Sequence, residues 1–359
     1  MSSWIDRATF PTSGSARGLL QVSPEGDMVA PLDAPDRAAA LDLAAAALRA
    51  AGLGERDRVV VALNNDGEAA GPLIAQAAAE VAQAAASVGP RGRMRLHTAL
   101  ERVGATALVI TPAGAMDFLA RLHLEFLLDP LDLELSHIFL VGEIPSPNTA
   151  SQLAAEFEAS VRELYADPFF GVPVAWRAPG DAALTPVRDG LLGLAPTGKD
   201  ALLEPPYDAG LAELVLTPSW HAALGDAVLR TGHAVRLAGG EQGVPAPAHT
   251  VGEHVLVRGR WLSLPKVASA LARIDGVARW ELRIKREGTL DSAALHVTFN
   301  RDTLVKNPMW KSRIAQALYA LTPVAVEVVV EPEVSDERRP PTVTDQRGHH
   351  LGRDRSQLS

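Results

Sequence analysis

The chain contains no cysteine in its 359 residues. That removes disulfides, thiolate catalysis and cysteine-bound zinc, although it does not fix the compartment. Also missing is any run near the roughly 18–20 uninterrupted apolar residues of a membrane helix. The polar start MSSWIDRATFPTSG lacks the apolar core of a signal peptide, so the simplest expectation is a cytoplasmic protein away from membranes. Nor is there a surplus of positive charge. A net charge of −9 argues against a large nucleic-acid-binding face, while leaving room for a small anionic ligand in a local pocket. What is present is 47% hydrophobic residues with ordinary charge content. Such a chain is globular and long enough to bury a sizeable core, as one large domain or two unequal ones.

The sequence is organised around residues 138–176. Residues 138–141, IFLV, are a short apolar strand, which Gly142-Glu143-Ile144-Pro145-Ser146-Pro147 breaks. Residues 149–164 then carry apolar side chains at helical spacing, with Ser146 and Asn148 as candidate caps. This strand, loop, helix and following strand form the repeating unit of an α/β fold. Parallel-sheet folds place ligands at the carboxyl ends of their strands, which singles out the loops at 142–147 and 165–171.

On either side the pattern continues. An amphipathic helix is expected over 36–51, a β-branched strand over 58–63, and a second helix over 69–88, so rich in alanine that close packing on a sheet is its expected role. Arg91, Arg93 and Arg95 read as a solvated basic face. A buried strand at 106–110 and a helix at 114–128 lead into the central stretch. Residues 181–215 read as short strands and turns, and 237–248, LAGGEQGVPAPA, as a linker or hairpin loop. Beyond it come a strand at 255–257, helices at 265–274 and 311–321, paired strands at 280–286 and 293–299, and a β-branched strand at 324–330.

Several segments, in order, resemble the phenylacetate–coenzyme A ligase branch of the adenylate-forming (AMP-binding) superfamily. Thr12-Ser13-Gly14-Ser15 resembles the start of its phosphate loop. Gly142-Glu143 with Ser146 resembles its GE-x-x-S loop, and Tyr165 opens the loop that follows. Residues 210–217 resemble its G-x-GELV-x-T segment, and Arg230-Thr231-Gly232-His233 its RTGD turn. Val343, Asp345 and Arg347 match the end of its last loop.

The resemblance implies an α/β adenylate-forming ligase fold: a truncated N-terminal domain over 1–250, β-rich at about 181–250, and a small mobile α+β domain over 251–347. Residues 348–359 read as a disordered tail. Relatives carry a longer stretch before the phosphate loop than the eleven residues here, so part of the acyl pocket is expected to be missing or rebuilt. The implied chemistry is activation of a carboxylate by ATP through an acyl-adenylate, followed by transfer to coenzyme A or another nucleophile. Thr12, Ser13, Gly14, Ser15, Gly142, Glu143, Tyr165 and Arg230 would line the ATP/AMP site, with Arg339 replacing the lid lysine and His233 as a second catalytic candidate.

The departures fall on polar positions. The family's magnesium-holding glutamate is replaced by Phe169, which offers a hard cation no oxygen, so no metal ligand is assigned and magnesium is doubtful. His233 stands where an aspartate accepts from both ribose hydroxyls; a neutral imidazole accepts one hydrogen bond at most. Arginine for lysine at a reaching position is not conservative. Two readings follow: a divergent ligase impaired in adenylation, or a non-catalytic binding or scaffolding protein that keeps the ligase shell; a small carboxylate or nucleotide, a protein partner and a second copy are the partners either reading allows.

Overall fold

Strands buried on both faces read as unbroken apolar runs, and the N-terminal sheet is built from three of them. Arg58–Ala62, Ala107–Ile110 and His137–Val141 lie side by side and parallel, with Ala84–Ser87 on one flank and Ser160–Ala166 on the other. Pro173–Arg177 and Thr185–Pro186 extend this antiparallel, giving seven strands. Because alternate side chains leave a strand on opposite faces, one sequence run feeds two cores. Val59, Val61, Val109 and Phe139 pack with helices Ala34–Ala50 and Ala70–Ala79. Val60, Leu108, Ile138 and Leu140 pack with Arg93–Val103, Pro112–Arg121 and Thr149–Phe157.

The computed structural model describes residues 3–10, 18–23, 26, 28–64, 70–337, 340 and 342–358. It divides into two compact units, Met1–Ala248 and His249–Leu358. Among the described residues no helix is long and apolar enough to cross a membrane.

Three expected helices come out shorter. The alanine-rich run stops as a helix at Ala79, and Ala84–Ser87 becomes an edge strand beside Arg58–Val61. Alanine favours a helix only weakly against the pairing offered by a sheet edge. Residues 149–164 split at Glu158, whose φ of 48° ends the helix, and Ser160–Ala166 is the fifth parallel strand. The helix expected over 114–128 runs Pro112–Arg121 and opens into a π-turn over Leu122–Phe126. Within the expected basic face, Arg93 is drawn inward by Asp117, 2.6 Å away.

The β-rich part is an antiparallel sheet of Leu192–Pro196, Gly210–Leu216 and Val228–Leu237, with Trp4–Ile5 parallel to its last strand. Arg230-Thr231-Gly232-His233, expected as a turn, lies inside that ten-residue strand opposite a bulge at Glu213 and Val215. Glu213 is the cause: its carboxylate accepts from the Gly232 N–H at 2.9 Å and from Arg230 at 2.8 Å.

In the second unit the hairpin His254–Val257 and Arg260–Ser263 precedes a four-stranded sheet ordered Val326–Val330, Leu290–Phe299, Val277–Glu287, Thr342–Asp345. Leu282, Ile284, Leu295 and Val297 bury one face against Val267 and Leu271 of helix Leu264–Ala272 and Ile314 and Leu318 of helix Pro308–Leu321. The last residues, read from the sequence as disordered, are paired: Thr250 N–H donates to His349 O and Gly252 N–H to Gly352 O. Arg347 anchors this return, buried between Asp291 and Asp345. Burial pushes the Asp345 carboxyl up, but Arg347 outweighs it and holds the group below its ordinary range.

Candidate functional site

The first loop at the strand ends is closed by its own glutamate. Gly142 takes φ of 87°, in the left-handed region that suits glycine, and turns the chain after Val141. Glu143 then accepts from the Ala113 N–H at 2.8 Å. Ala113 lies in the first turn of Pro112–Arg121, capped by Thr111, so the carboxylate sits at the positive end of a helix. Tyr165 ends the fifth strand, buried, with its hydroxyl 3.2 Å from His233 Nδ1 and its ring edge-on to the imidazole at 5.6 Å. Glu143 and Tyr165 line one cavity of about 30 Å³, which Leu184, Ala246 and Pro247 also line. That is the space of about one water molecule. The segment read as a linker packs here: Leu184 N–H donates to Val244 O at 2.8 Å, and Ala183 bridges to Pro245.

The second loop is organised by a residue the sequence reading passed over. Asp167 is buried and accepts from the N–H groups of Phe169, Phe170 and Val172 at 3.0, 2.7 and 2.9 Å. Burial pushes its carboxyl up to about 6, and those three donors keep it from rising further. The turn delivers Phe169 into an apolar stack, its ring 5.6 Å from Phe10 and covered by the Arg7 guanidinium. Phe170 packs on Trp220 and His221. The Gln21 amide donates to the carbonyls of Phe169 and Phe170 at 3.4 and 3.2 Å. Thr12, Ser13, Gly14 and Ser15 lie outside the described residues, as does Arg339. Phe10 and Gln21, on either side of residues 11–17, both contact the Asp167 loop.

Arg230 and His233 part company. Arg230 was expected beside a nucleotide, and its donors are instead taken by protein: Asp200, Glu213, and the carbonyls of Pro196 and Lys199. Its guanidinium lies over the Trp4 ring. No donor geometry remains for a phosphate or ribose, because charge and fork are both satisfied. His233 is not a turn residue. It is buried in the strand, and burial with the nearby Arg7 charge lowers its imidazole to about 3. The ring is therefore neutral near pH 7, with the Tyr165 phenol, itself pushed up by burial, as its partner.

Among the described residues no three His, Asp or Glu side chains stand together as a metal site. Phe169, in the glutamate position, presents a stacked ring rather than an oxygen. That ring offers a hard cation no ligand atom.

A different kind of surface lies on the second unit. Val277–Glu287 sends Arg283 and Lys285 to the face opposite the core, and with Arg258, His296, Gln346, Tyr319 and Glu327 they line a groove of about 930 Å³. Arg283 bonds Glu281 at 2.7 Å and Lys285 bonds Glu287 at 2.5 Å, but both cations remain more than two-fifths exposed. Such exposed pairs are weak and yield to a better anion. The signal was in the sequence: Arg279, Glu281, Arg283 and Lys285 alternate with apolar residues, so the whole outer face is polar.

No protein-family model and no curated protein sequence matches the chain. Solved structures do. A 2-hydroxyisobutyryl-CoA ligase in complex with 2-HIB-AMP and CoA, in its thioesterification state, aligns with a TM-score of 0.72 at 16% identity, covering 94% of this chain and 74% of that one. An o-succinylbenzoate CoA synthetase from Bacillus subtilis, bound with a product analogue, aligns at 0.62 and 12% over 89% and 67% of the two chains. A malonyl-CoA ligase with methylmalonyl-CoA and AMP aligns at 0.58 and 15% over 90% and 70%. At such identities the likeness speaks for architecture alone, and the architecture is the α/β fold of the adenylate-forming CoA ligases.

Proposed function

We propose that this chain is a descendant of the phenylacetate–CoA ligase-like branch that has become impaired in forming acyl-adenylates and works as a binding protein. In this reading Met1–Ala248 corresponds to the AMP-binding domain of such ligases and His249–Leu358 to their mobile lid. The observation that carries the proposal is the packing of Phe169 between Phe10 and Arg7, together with the cavity of about 30 Å³ beside Tyr165 and Glu143. Pockets that hold drug-sized ligands run to ~300–1,000 Å³. Space of that order lies on the second unit, in the groove lined by Arg258, Arg283, Lys285 and Glu327. Their chemistry suits the phosphates of coenzyme A, the ligand common to the similar ligases.

The competing reading, a working ATP-dependent acid–thiol ligase, has one observation in its favour. Glu143 and Tyr165 still line one cavity at the strand ends. Calorimetric titration of the full chain separates the two. Coenzyme A is expected to release heat, while ATP with magnesium, and a non-hydrolysable acyl-adenylate mimic, give none. Carboxylate-dependent exchange of pyrophosphate into ATP above the enzyme-free rate would overturn the proposal.

A further inference from the structure

The π-turn that ends Pro112–Arg121 serves neither of the surfaces described so far. Over Leu122–Phe126 and the following 3₁₀ turn Pro130–Leu133, the chain buries Leu122 and Leu133 and turns other leucines outward. Leu124 is 80% exposed, Leu127 83% and Leu131 43%, all within eight residues. Isolated exposed leucines need no explanation, but a cluster on one short segment marks an interaction surface. The backbone supports this. Leu127 has φ of 53° and Glu134 φ of 49°, a conformation that residues with a Cβ rarely adopt and that clusters at functional segments.

The surrounding charge identifies the occupant. Glu125, Asp129, Asp132 and Glu134 are exposed on the same segment, and within residues 121–134 the one lysine or arginine is Arg121, which already pairs with Glu125 at 2.5 Å and Asp117 at 3.3 Å. Glu156 comes in from the neighbouring helix, 3.1 Å from His123. A second copy docking by two-fold symmetry would bring these carboxylates face to face. An anionic membrane or a nucleic acid is repelled for the same reason. We propose that residues 122–134 form a docking surface for another protein, through a segment whose apolar side chains are flanked by lysines and arginines.

A displayed peptide library panned against the full chain tests this. Enriched sequences are expected to combine leucine or phenylalanine with lysine or arginine. Their affinity should fall about tenfold for Leu124→Ser and for Leu127→Gly, and weaken further as salt rises. The glycine variant guards against simple misfolding, because it relaxes the left-handed position and should melt no lower than the parent protein. Peptides without basic residues, or binding equal in parent and variants, would overturn the proposal. So would sedimentation showing a parent dimer that Leu124→Ser converts to monomer, since the occupant would then be a second copy.

Discussion

The strand ends of the N-terminal unit and the outer sheet face of the C-terminal unit carry similar polar residue types and use them in opposite ways. At the strand ends Glu143, Arg230, His233 and Asp167 spend their hydrogen bonds on the protein itself. On the sheet face Arg283 pairs with half-buried Glu281 and Lys285 with exposed Glu287, and both cations stay accessible. A buried polar group must find a partner inside the fold, and once it has one it is no longer available to a ligand. An exposed ion pair costs little to exchange. Keeping a motif's residues is therefore different from keeping its function.

The largest expected effect comes from forcing the first region back toward the second. Phe169→Glu would place a carboxylate in the stack against Phe10 and beside buried Phe170. Loss of the ring and burial of charge should destabilise the unit by about 3–5 kcal/mol. Urea unfolding monitored by fluorescence measures this, and pyrophosphate exchange should stay at background. A stable Phe169→Glu protein that exchanges pyrophosphate would show that one substitution separates this chain from a working ligase.

Next in size is the pH dependence of the buried site. His233 titrates at about 3 in the folded protein against 6.5 for the free group, because it is buried and near Arg7. Between those values the unfolded chain holds the extra proton, so its contribution is complete above pH 6.5 and is lost as the pH falls. Asp167 runs the other way, at about 6 folded against 3.8. Here the folded state holds the extra proton, so stability gained below 3.8 is lost as the pH rises through 6. Each slope reaches at most about 1.4 kcal/mol per pH unit. His233→Asn should flatten the loss of stability between about pH 4.5 and 6.5, and Asp167→Asn should steepen it. Urea midpoints across that range decide, and identical pH profiles for parent and variants would mean that neither group is buried as described.

The two regions also differed in how far the sequence could foretell them. The sheet was legible because residues 59–61, 107–110 and 138–141 are apolar without interruption, and the strand-end loops followed from the breaks after them. The fates of the motif residues were not, because they depend on partners distant in sequence. Arg230 meets Asp200 thirty positions away and Tyr165 meets His233 across sixty-eight. Residues 84–87 read as helix because alanine carries almost no mark of the strand beside it. Asp167 had a visible signal, an aspartate two and three residues before adjacent phenylalanines, which an Asx-type turn explains. The C-terminal groove was written in the alternation of Arg279, Glu281, Arg283 and Lys285.

A third measurement sharpens the comparison from the other side. Replacing Arg283 and Lys285 by glutamine removes two accessible cations while leaving the core face of their strand intact. Coenzyme A binding by the full chain should weaken about tenfold, or about 1.4 kcal/mol, with a shallower salt dependence. Unfolding midpoints should hardly move, since the two cations they lose are exposed. If affinity is unchanged, the ligand's phosphates bind elsewhere.

The smallest expected change concerns how firmly the strand ends are filled. Gly243 lies so close to residue 183 that an added Cβ would come within 2.9 Å of the Ala183 Cβ. Gly243→Ala must therefore push apart the segment that pairs Leu184 with Val244, at a cost of about 1 kcal/mol. Hydrogen exchange at the Leu184 amide should quicken, because that N–H is the donor to Val244 O. Displacing the segment does not restore an oxygen at Phe169 or release Arg230 from Asp200 and Glu213, so ATP with magnesium should still give no heat. Binding in this variant would mean that residues 243–247 are a removable cover over a working pocket, and the contrast between the two regions would become one of access rather than of chemistry.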